Sequence, residues 1–276
     1  MFPNERQPIA KMAETSLNFG ERGELFGVFH AADGGGPVVV FCAPFAEEKK
    51  CSYRTFVETA RALAAAGVPG FRFDYFGTGD SDGAFSEFTP SRAIEDIVAA
   101  SAKARELAGT ETLALLGLRL GGTLALSAAP RVSAERVILW QPVLDAAGFF
   151  DLTIKRQMLR KQLIAASGSD EKRSSDRADG HMPGPDVIDL DGFPLSRAAG
   201  EEIRGLDGAR SAESYPGPIH LLQISHTESL SRQHARLAAG LGDRLTTAAV
   251  KCQPFWNRID LADTTPVIEQ TVDWLK

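Results

Sequence analysis

The stretch Gly117-Leu118-Arg119-Leu120-Gly121-Gly122 joins an apolar run to an amphipathic segment, and the interpretation of the whole chain starts from it. The preceding run, Thr112 to Gly117, has the composition of a buried strand, and a helix is predicted to begin near Leu120. Glycines on both sides of Arg119 permit a sharp backbone turn and close packing of the helix on the strand. The sequence therefore predicts a strand, a tight turn at Arg119 and a helix.

Short apolar runs alternate with amphipathic segments on both sides of this turn. After an opening antiparallel hairpin, the further predicted strands are Pro37–Cys42, Phe71–Tyr75, Arg136–Trp140, Ile219–Ser225 and Thr246–Cys252. Further predicted helices cover Ser52–Ala66, Pro90–Leu107 and Thr265–Lys276. Alternation of this kind is typical of an α/β fold, and we expect a mostly parallel, doubly wound sheet.

A long stretch without a strong parallel-strand signal separates Trp140 from Ile219. Its predicted parts are a basic amphipathic helix, a mobile loop and a second helix, at Leu152–Ile164, Ser167–Pro185 and Ser196–Leu206. We expect a small helical cap insertion of residues 144–212 in a core formed by residues 1–143 and 213–276.

Composition narrows the possible functions of the 276-residue chain. Its 30 basic and 36 acidic side chains give a net charge of −6, and without a dense basic block the chain is predicted not to bind nucleic acid. No run reaches the roughly 20 apolar residues of a membrane span. The opening Met1–Arg6 has no apolar core of a signal peptide, so the expected location is cytoplasmic.

The cysteines and histidines give no sign of a metal or cofactor. Cys42, Cys51 and Cys252 are scattered and odd in number, which fits neither a disulfide framework nor a zinc site. No histidine has a partner at metal-ligand spacing. We therefore expect neither a metal ion nor a cofactor.

Three loops are predicted at the carboxyl ends of strands, where open α/β sheets place their ligands: Ala43–Glu48, Asp74–Gly83 and Gly117–Gly122. With the order of elements and the expected cap, these loops make the chain resemble the α/β-hydrolase superfamily over nearly its whole length. At finer grain, Pro44–Glu48 and Gly117–Gly121 are similar to strings of the exosortase-A-associated type 2 hydrolases, which are linked to exopolysaccharide loci. The resemblance implies a hydrolase.

The same resemblance places a Ser-His-Asp triad at positions where this chain carries other residues. The nucleophile position is Arg119, whose guanidinium stays protonated and cannot attack a carbonyl carbon. The base is expected after the last strand, where Asn257 is the nearest polar residue and no histidine occurs. Glu228 stands near the position of the acid. The chain is predicted to have a degenerate triad.

The groups that would stabilise negative charge in such a site are present in the sequence. The resemblance implies an oxyanion hole formed by the backbone N–H groups of Phe45 and Leu120. A helix N-terminus at Leu120 adds partial positive charge to that of Arg119. Two roles for Arg119 stay open, namely contact with an anionic ligand or a salt bridge to Glu47 or Glu48.

Three functions remain open on this basis. In the first, the chain is an acyl or ester hydrolase or transferase in which Arg119 binds substrate and His226, Glu47 or Glu48 activates water. In the second, it is a non-catalytic member of the fold that binds a small acyl or anionic ligand, or a partner protein, in the same cleft. In the third, it is a scaffold in polysaccharide assembly or export.

Overall fold

The computed structural model describes residues 14–166, 186–258 and 262–276, without the side chains of 164–166. The predicted loop at Ser167–Pro185 and the opening Met1–Arg6 lie outside these residues. The strands are β1 (Glu14–Phe19), β2 (Leu25–His30), β3 (Val38–Cys42), β4 (Gly70–Phe73), β5 (Leu113–Leu118), β6 (Arg136–Trp140), β7 (Val187–Leu190), β8 (Phe193–Ser196), β9 (Ile219–Ser225) and β10 (Leu245–Lys251). The helices are α1 (Glu47–Ala65), α2 (Pro90–Ala108), α3 (Leu120–Ala128), α4 (Ala146–Ala166), α5 (Arg197–Gly205), α6 (Gly208–Ser214), α7 (Arg232–Leu241) and α8 (Thr265–Leu275).

Eight strands form one sheet in the order β1-β2-β4-β3-β5-β6-β9-β10. The opening hairpin β1–β2 and the pair β2–β4 are antiparallel, and all other pairs from β4 to β10 are parallel. The predicted mostly parallel α/β sheet is therefore confirmed. Strand β3 lies between β4 and β5, so the connection from β3 to β4 and the connection from β4 to β5 run in opposite directions across the sheet. Where the direction changes, a crevice is expected outside the carboxyl ends of β3 and β5.

Helices cover both faces of the sheet, which explains the uninterrupted apolar runs. Every residue of β3 and β5 is buried, as expected for central parallel strands. Helix α1 packs on α8, and α2 packs on α3. The predicted start of α2 is confirmed, since the side chain of Thr89 accepts a hydrogen bond from the Arg92 N–H at 3.1 Å and Pro90 occupies the first turn.

Two helices begin earlier than the sequence predicts. Helix α1 begins at Glu47 rather than Ser52, because the chain turns into the helix at Ala46. Alanine has no side chain that could cap the first turn, so the sequence carries no signal for this start. Helix α4 begins at Ala146 rather than Leu152. The earlier start of α1 places Glu47 and Glu48 in a helical first turn instead of a loop.

The elements between β6 and β9 lie outside the main sheet, and β7 and β8 pair as a separate antiparallel hairpin. Helix α5 is capped by the Ser196 hydroxyl, which accepts from the Ala199 N–H at 3.1 Å. Phe193 of β8 packs edge-on against Phe85, a residue of the loop that follows β4. The cap predicted for residues 144–212 stays a prediction.

The close approach of α3 to β5 leaves no room for side chains at the glycines of the turn. A Cβ atom at Gly117 would lie 2.5 Å from the Gly121 carbonyl oxygen and from the Gly122 Cα. We expect Gly117→Ala to lower the free energy of unfolding by about 2 kcal/mol or more, because backbone atoms must move. Urea denaturation followed by circular dichroism measures this change.

The matched control is Gly240→Ala in α7, where a new Cβ would meet nothing within 4 Å. That variant is expected to be as stable as the parent or about 0.5–1 kcal/mol more stable, since alanine is the better helix former. Equal stability of Gly117→Ala and the parent would show that the turn is looser than the structure indicates.

Candidate active site

Two residues in strained backbone conformations stand at the crevice between β3 and β5. Arg119 has φ 55° and ψ −123°, and Ala46 has φ 50° and ψ −126°; each directly precedes a helix. Such conformations cost roughly 1–3 kcal/mol and persist only when the surroundings impose them. Here the Arg119 N–H donates to the Trp140 carbonyl at 3.0 Å, and the Arg119 carbonyl accepts from the Gly122 and Val143 N–H groups. The turn therefore has the geometry of a nucleophile elbow.

The Arg119 side chain is engaged on several sides. Its Nε donates to Glu48 Oε1 at 3.2 Å, and its Nη1 donates to the Gln141 carbonyl at 3.3 Å. The guanidinium also lies 5.3 Å from the ring centroid of Phe149 and 5.4 Å from that of Trp256. Of the two glutamates considered as partners, the structure pairs Arg119 with Glu48.

Glu48 is a largely buried carboxyl group in the first turn of α1. Burial raises its pKa above the ordinary value, and the attraction of Arg119 offsets only part of this effect. Its Oε2 is buried and has no hydrogen-bond partner among the described residues. A buried acceptor without a donor is costly, and such groups call for a functional explanation. Glu48 therefore combines a raised pKa with a free lone pair, as a general base requires.

The predicted oxyanion groups are available. The N–H groups of Phe45 and Leu120 have no acceptor within the described part of the chain. The two loops that carry them adjoin, since a Cβ at Gly121 would come within 2.7 Å of the Ala43 carbonyl carbon. The ring of Phe45 packs against Phe85 and Phe88, which stack on each other. Backbone N–H groups fixed in this way suit developing negative charge.

A cavity of about 520 Å³ opens beside the Phe45 loop. Its aromatic lining consists of Phe45, Tyr53, Tyr75, Phe85, Phe88 and Phe193, the last from the proposed cap. Lys49 and Asp74 also line it and form an ion pair at 2.6 Å, with Lys49 Nζ donating to the Thr78 hydroxyl at 3.2 Å. The volume and the apolar walls suit a small ligand with an aromatic or acyl part.

Several predicted site residues lie away from Arg119. Glu47 is exposed and faces Lys50 at 3.9 Å. His226 and Glu228 are exposed in the loop after β9, and neither contacts Arg119 or Glu48. Asn257 is exposed as well, and the residue before it, Trp256, is the one that packs on Arg119. The structure thus brings together Arg119, Glu48, Phe45 and Leu120, and not the other candidates.

His234 belongs to the surroundings of the site and was not predicted to. It is buried in α7, and its Nδ1 lies 2.9 Å from Gln223 Oε1. Because that oxygen also accepts from the Ser231 N–H, Nδ1 is assigned as the donor and Nε2 as the basic nitrogen. Burial, followed by the charge of Arg119, lowers the pKa of His234 to about 4. Ser231, the cap of α7, is the one sequence signal that could have placed this histidine beneath β9.

The thiols and possible metal ligands give no alternative centre in residues 14–166, 186–258 and 262–276. Burial raises the pKa of the Cys42 and Cys51 thiols, so neither is poised as a thiolate nucleophile. No group of three or more His, Cys, Asp or Glu side chains is arranged to hold a metal ion in these residues. Within them, no helix is long and apolar enough to cross a bilayer.

The comparison with protein families supports the same fold. Residues 38–170, just under half of the chain, match the family model described as "Serine aminopeptidase, S33". The matched segment runs from β3 through the elbow into α4. No curated protein matches the chain.

Many solved structures share this architecture. Est1E from Butyrivibrio proteoclasticus, solved with ferulic acid bound, is 16% identical with a TM-score of 0.64, covering 91% of this chain and 93% of that one. The Pyrococcus furiosus esterase PF2001 is 13% identical with a TM-score of 0.62, covering 99% and 93%. A serine hydrolase without lid from Xanthomonas campestris is 18% identical with a TM-score of 0.54, covering 100% and 97%. The chain has the α/β-hydrolase fold.

The lowered pKa of His234 has a consequence for stability. In the unfolded chain His234 takes up a proton near pH 6.5, whereas in the folded protein it does so only near pH 4. The contribution of neutral His234 to the free energy of unfolding is therefore present above pH 6.5 and is lost as the pH falls toward 4. Between pH 7.5 and 5 we expect the parent to lose about 2 kcal/mol more than His234→Gln does.

Urea titrations at the two pH values measure this difference, with His226→Gln as the control at an exposed histidine. His30 is present in all three proteins, so its own titration cancels. An identical pH dependence in the parent and His234→Gln would show that the His234 pKa is not depressed.

Proposed function

We propose that the protein is an acyl or ester hydrolase or transferase with a non-standard site, in which Glu48 acts as general base beside Arg119. The observation that carries this proposal is the buried Glu48 carboxyl group, with its raised pKa and unpartnered Oε2, at the elbow. Among the candidate bases, Glu48 contacts Arg119, whereas His226 is exposed and makes no contact with it, which favours Glu48.

The proposed reaction follows from these groups. Glu48 Oε2 takes a proton from a water molecule as its oxygen bonds to the carbonyl carbon of the substrate. The N–H groups of Phe45 and Leu120 hold the resulting oxyanion. The intermediate then collapses, the bond to the leaving alkoxide breaks, and the alkoxide takes the proton from Glu48. An alcohol in place of water would make the reaction an acyl transfer.

Arg119 acts as a positioning residue in this proposal. Its Nε holds Glu48 Oε1 at 3.2 Å, which leaves Oε2 as the oxygen that can accept a proton. Its positive charge also opposes the rise that burial causes in the pKa of Glu48. The aromatic cavity beside Phe45 is assigned to the acyl or aromatic part of the substrate. A link to exopolysaccharide production is supported only by the resemblance of residues 44–48 and 117–121.

A non-catalytic binding protein is the second candidate, and a specific observation favours it. The guanidinium of Arg119 is already engaged by Glu48, Gln141, Phe149 and Trp256, and no serine or cysteine occupies the elbow. In this alternative the same cavity binds a small acyl or anionic ligand, or the surface around it serves as a scaffold for a partner protein.

Hydrolysis of p-nitrophenyl acetate, butyrate and octanoate by the purified protein decides between the two candidates. Glu48→Gln keeps the size of the side chain and removes its basicity, so we expect kcat to fall by about 100-fold or more. The parent rate should rise with pH through a value above the ordinary glutamate pKa, and the variant should lose this dependence.

Glu47→Gln, at the adjacent exposed residue, and His226→Ala, at an exposed histidine that does not contact Arg119, are the matched controls and should retain the parent rate. A fluorophosphonate probe should label none of these proteins. Absence of turnover in a folded parent would exclude the hydrolase and leave the binding protein, whereas covalent labelling would reveal a serine nucleophile outside the proposed site.

A further inference from the structure

The outward face of α4 carries large apolar side chains instead of the polar ones usual on an exposed helix. Leu152, Leu159 and Leu163 are 46%, 57% and 63% exposed. They are spaced by seven and four residues, which places them on one side of the helix. We call these three residues the leucine stripe. Phe150, which is fully buried, and Gln157 lie on the opposite side and face the core.

Basic side chains border the leucine stripe. Lys155 and Arg156 follow Leu152 by three and four residues and precede Leu159 by four and three, so they lie on either side of the stripe. Both are exposed, and neither forms an ion pair with a described residue. Arg160 and Lys161 are also exposed, although they pair with Asp191 and Asp189. The helix is thus strongly basic in a chain of net charge −6.

We propose that this face of α4 docks on the surface of a lipid bilayer that contains anionic lipids. An apolar stripe bordered by lysine and arginine is the pattern of a helix that lies in the membrane interface, with leucines among the acyl chains and cations at the headgroup phosphates. The long basic side chains can reach the headgroups while the leucines insert.

Charge argues against a second copy of the chain as the occupant. In a two-fold symmetric pairing the same face meets itself and would bring Lys155 and Arg156 against an equally basic surface. The acidic residue beside this face, Asp151, is already paired with Arg204. An anionic bilayer satisfies the apolar and the basic residues together.

The docking surface adjoins the candidate active site. Phe149 of the same helix packs on Arg119, and the charge of Arg156 offsets a small part of the rise that burial causes in the pKa of Glu48. A bilayer bound to this face would therefore lie close to the elbow. The inference does not depend on the proposed function, because binding is measured without turnover.

Sedimentation of the full-length protein with vesicles tests the proposal. We expect binding to phosphatidylcholine vesicles containing 30% phosphatidylglycerol, weaker binding in 0.5 M salt than in 0.1 M salt, and little binding to pure phosphatidylcholine. The double variant Leu159→Ser with Leu163→Ser should bind at least tenfold more weakly, and Leu159→Ile with Leu163→Ile should bind like the parent.

Lys155→Glu should weaken binding about tenfold, and Arg236→Glu on the exposed face of α7 is the matched control that should not. No binding to the anionic vesicles, or binding that the serine variant leaves unchanged, would overturn the proposal. So would a dimer, measured by light scattering, that the serine variant converts to monomer, because the face would then be an interface between copies.

Discussion

The closest packing in the site is between the start of α3 and the strands beside it, where Gly117 and Gly121 allow backbone to meet backbone. This contact forces Arg119 into a conformation with φ 55° and fixes the direction of its side chain. The N–H group of Leu120 is aligned by the same turn. A looser turn would leave both the guanidinium and the N–H without a fixed position, so the geometry of the candidate site depends on a steric constraint at these glycines.

Arg119 connects elements that are far apart in the chain. Through Glu48 it contacts α1, through Gln141 the loop after β6, through Phe149 the helix α4, and through Trp256 the loop after β10. A cation in a crevice of low exposure needs such compensation, since an unpaired buried charge is strongly unfavourable. The same interactions restrict the mobility of the guanidinium, which suits a residue that positions another group.

The sequence predicted the fold more completely than the site. Apolar runs such as Val38–Cys42 have no other stable environment than the centre of a covered parallel sheet, so the strands followed from composition. The early start of α1 could not be predicted, because its entry at Ala46 depends on tertiary packing and carries no capping signal. The pairing of Arg119 with Glu48 rather than Glu47 depends on that start. The position of His234 depends on the packing of α7 on β10 and on the contact of His234 with Gln223 of β9. No local sequence pattern predicts these contacts.

The residues at the positions that the resemblance assigns to a triad are physically consistent with one another. A cation at the elbow requires a nearby anion, and the first turn of α1 supplies Glu48. Burial, and after it the charge of Arg119, disfavours the protonated form of His234, and a histidine beside that cation would meet the same effect. The loop after β10 instead presents Trp256, whose ring face attracts a guanidinium. An arginine at position 119 therefore favours an acidic or aromatic side chain at the positions that contact it. The buried carboxyl group of Glu48 that balances it is the general base of the proposed reaction.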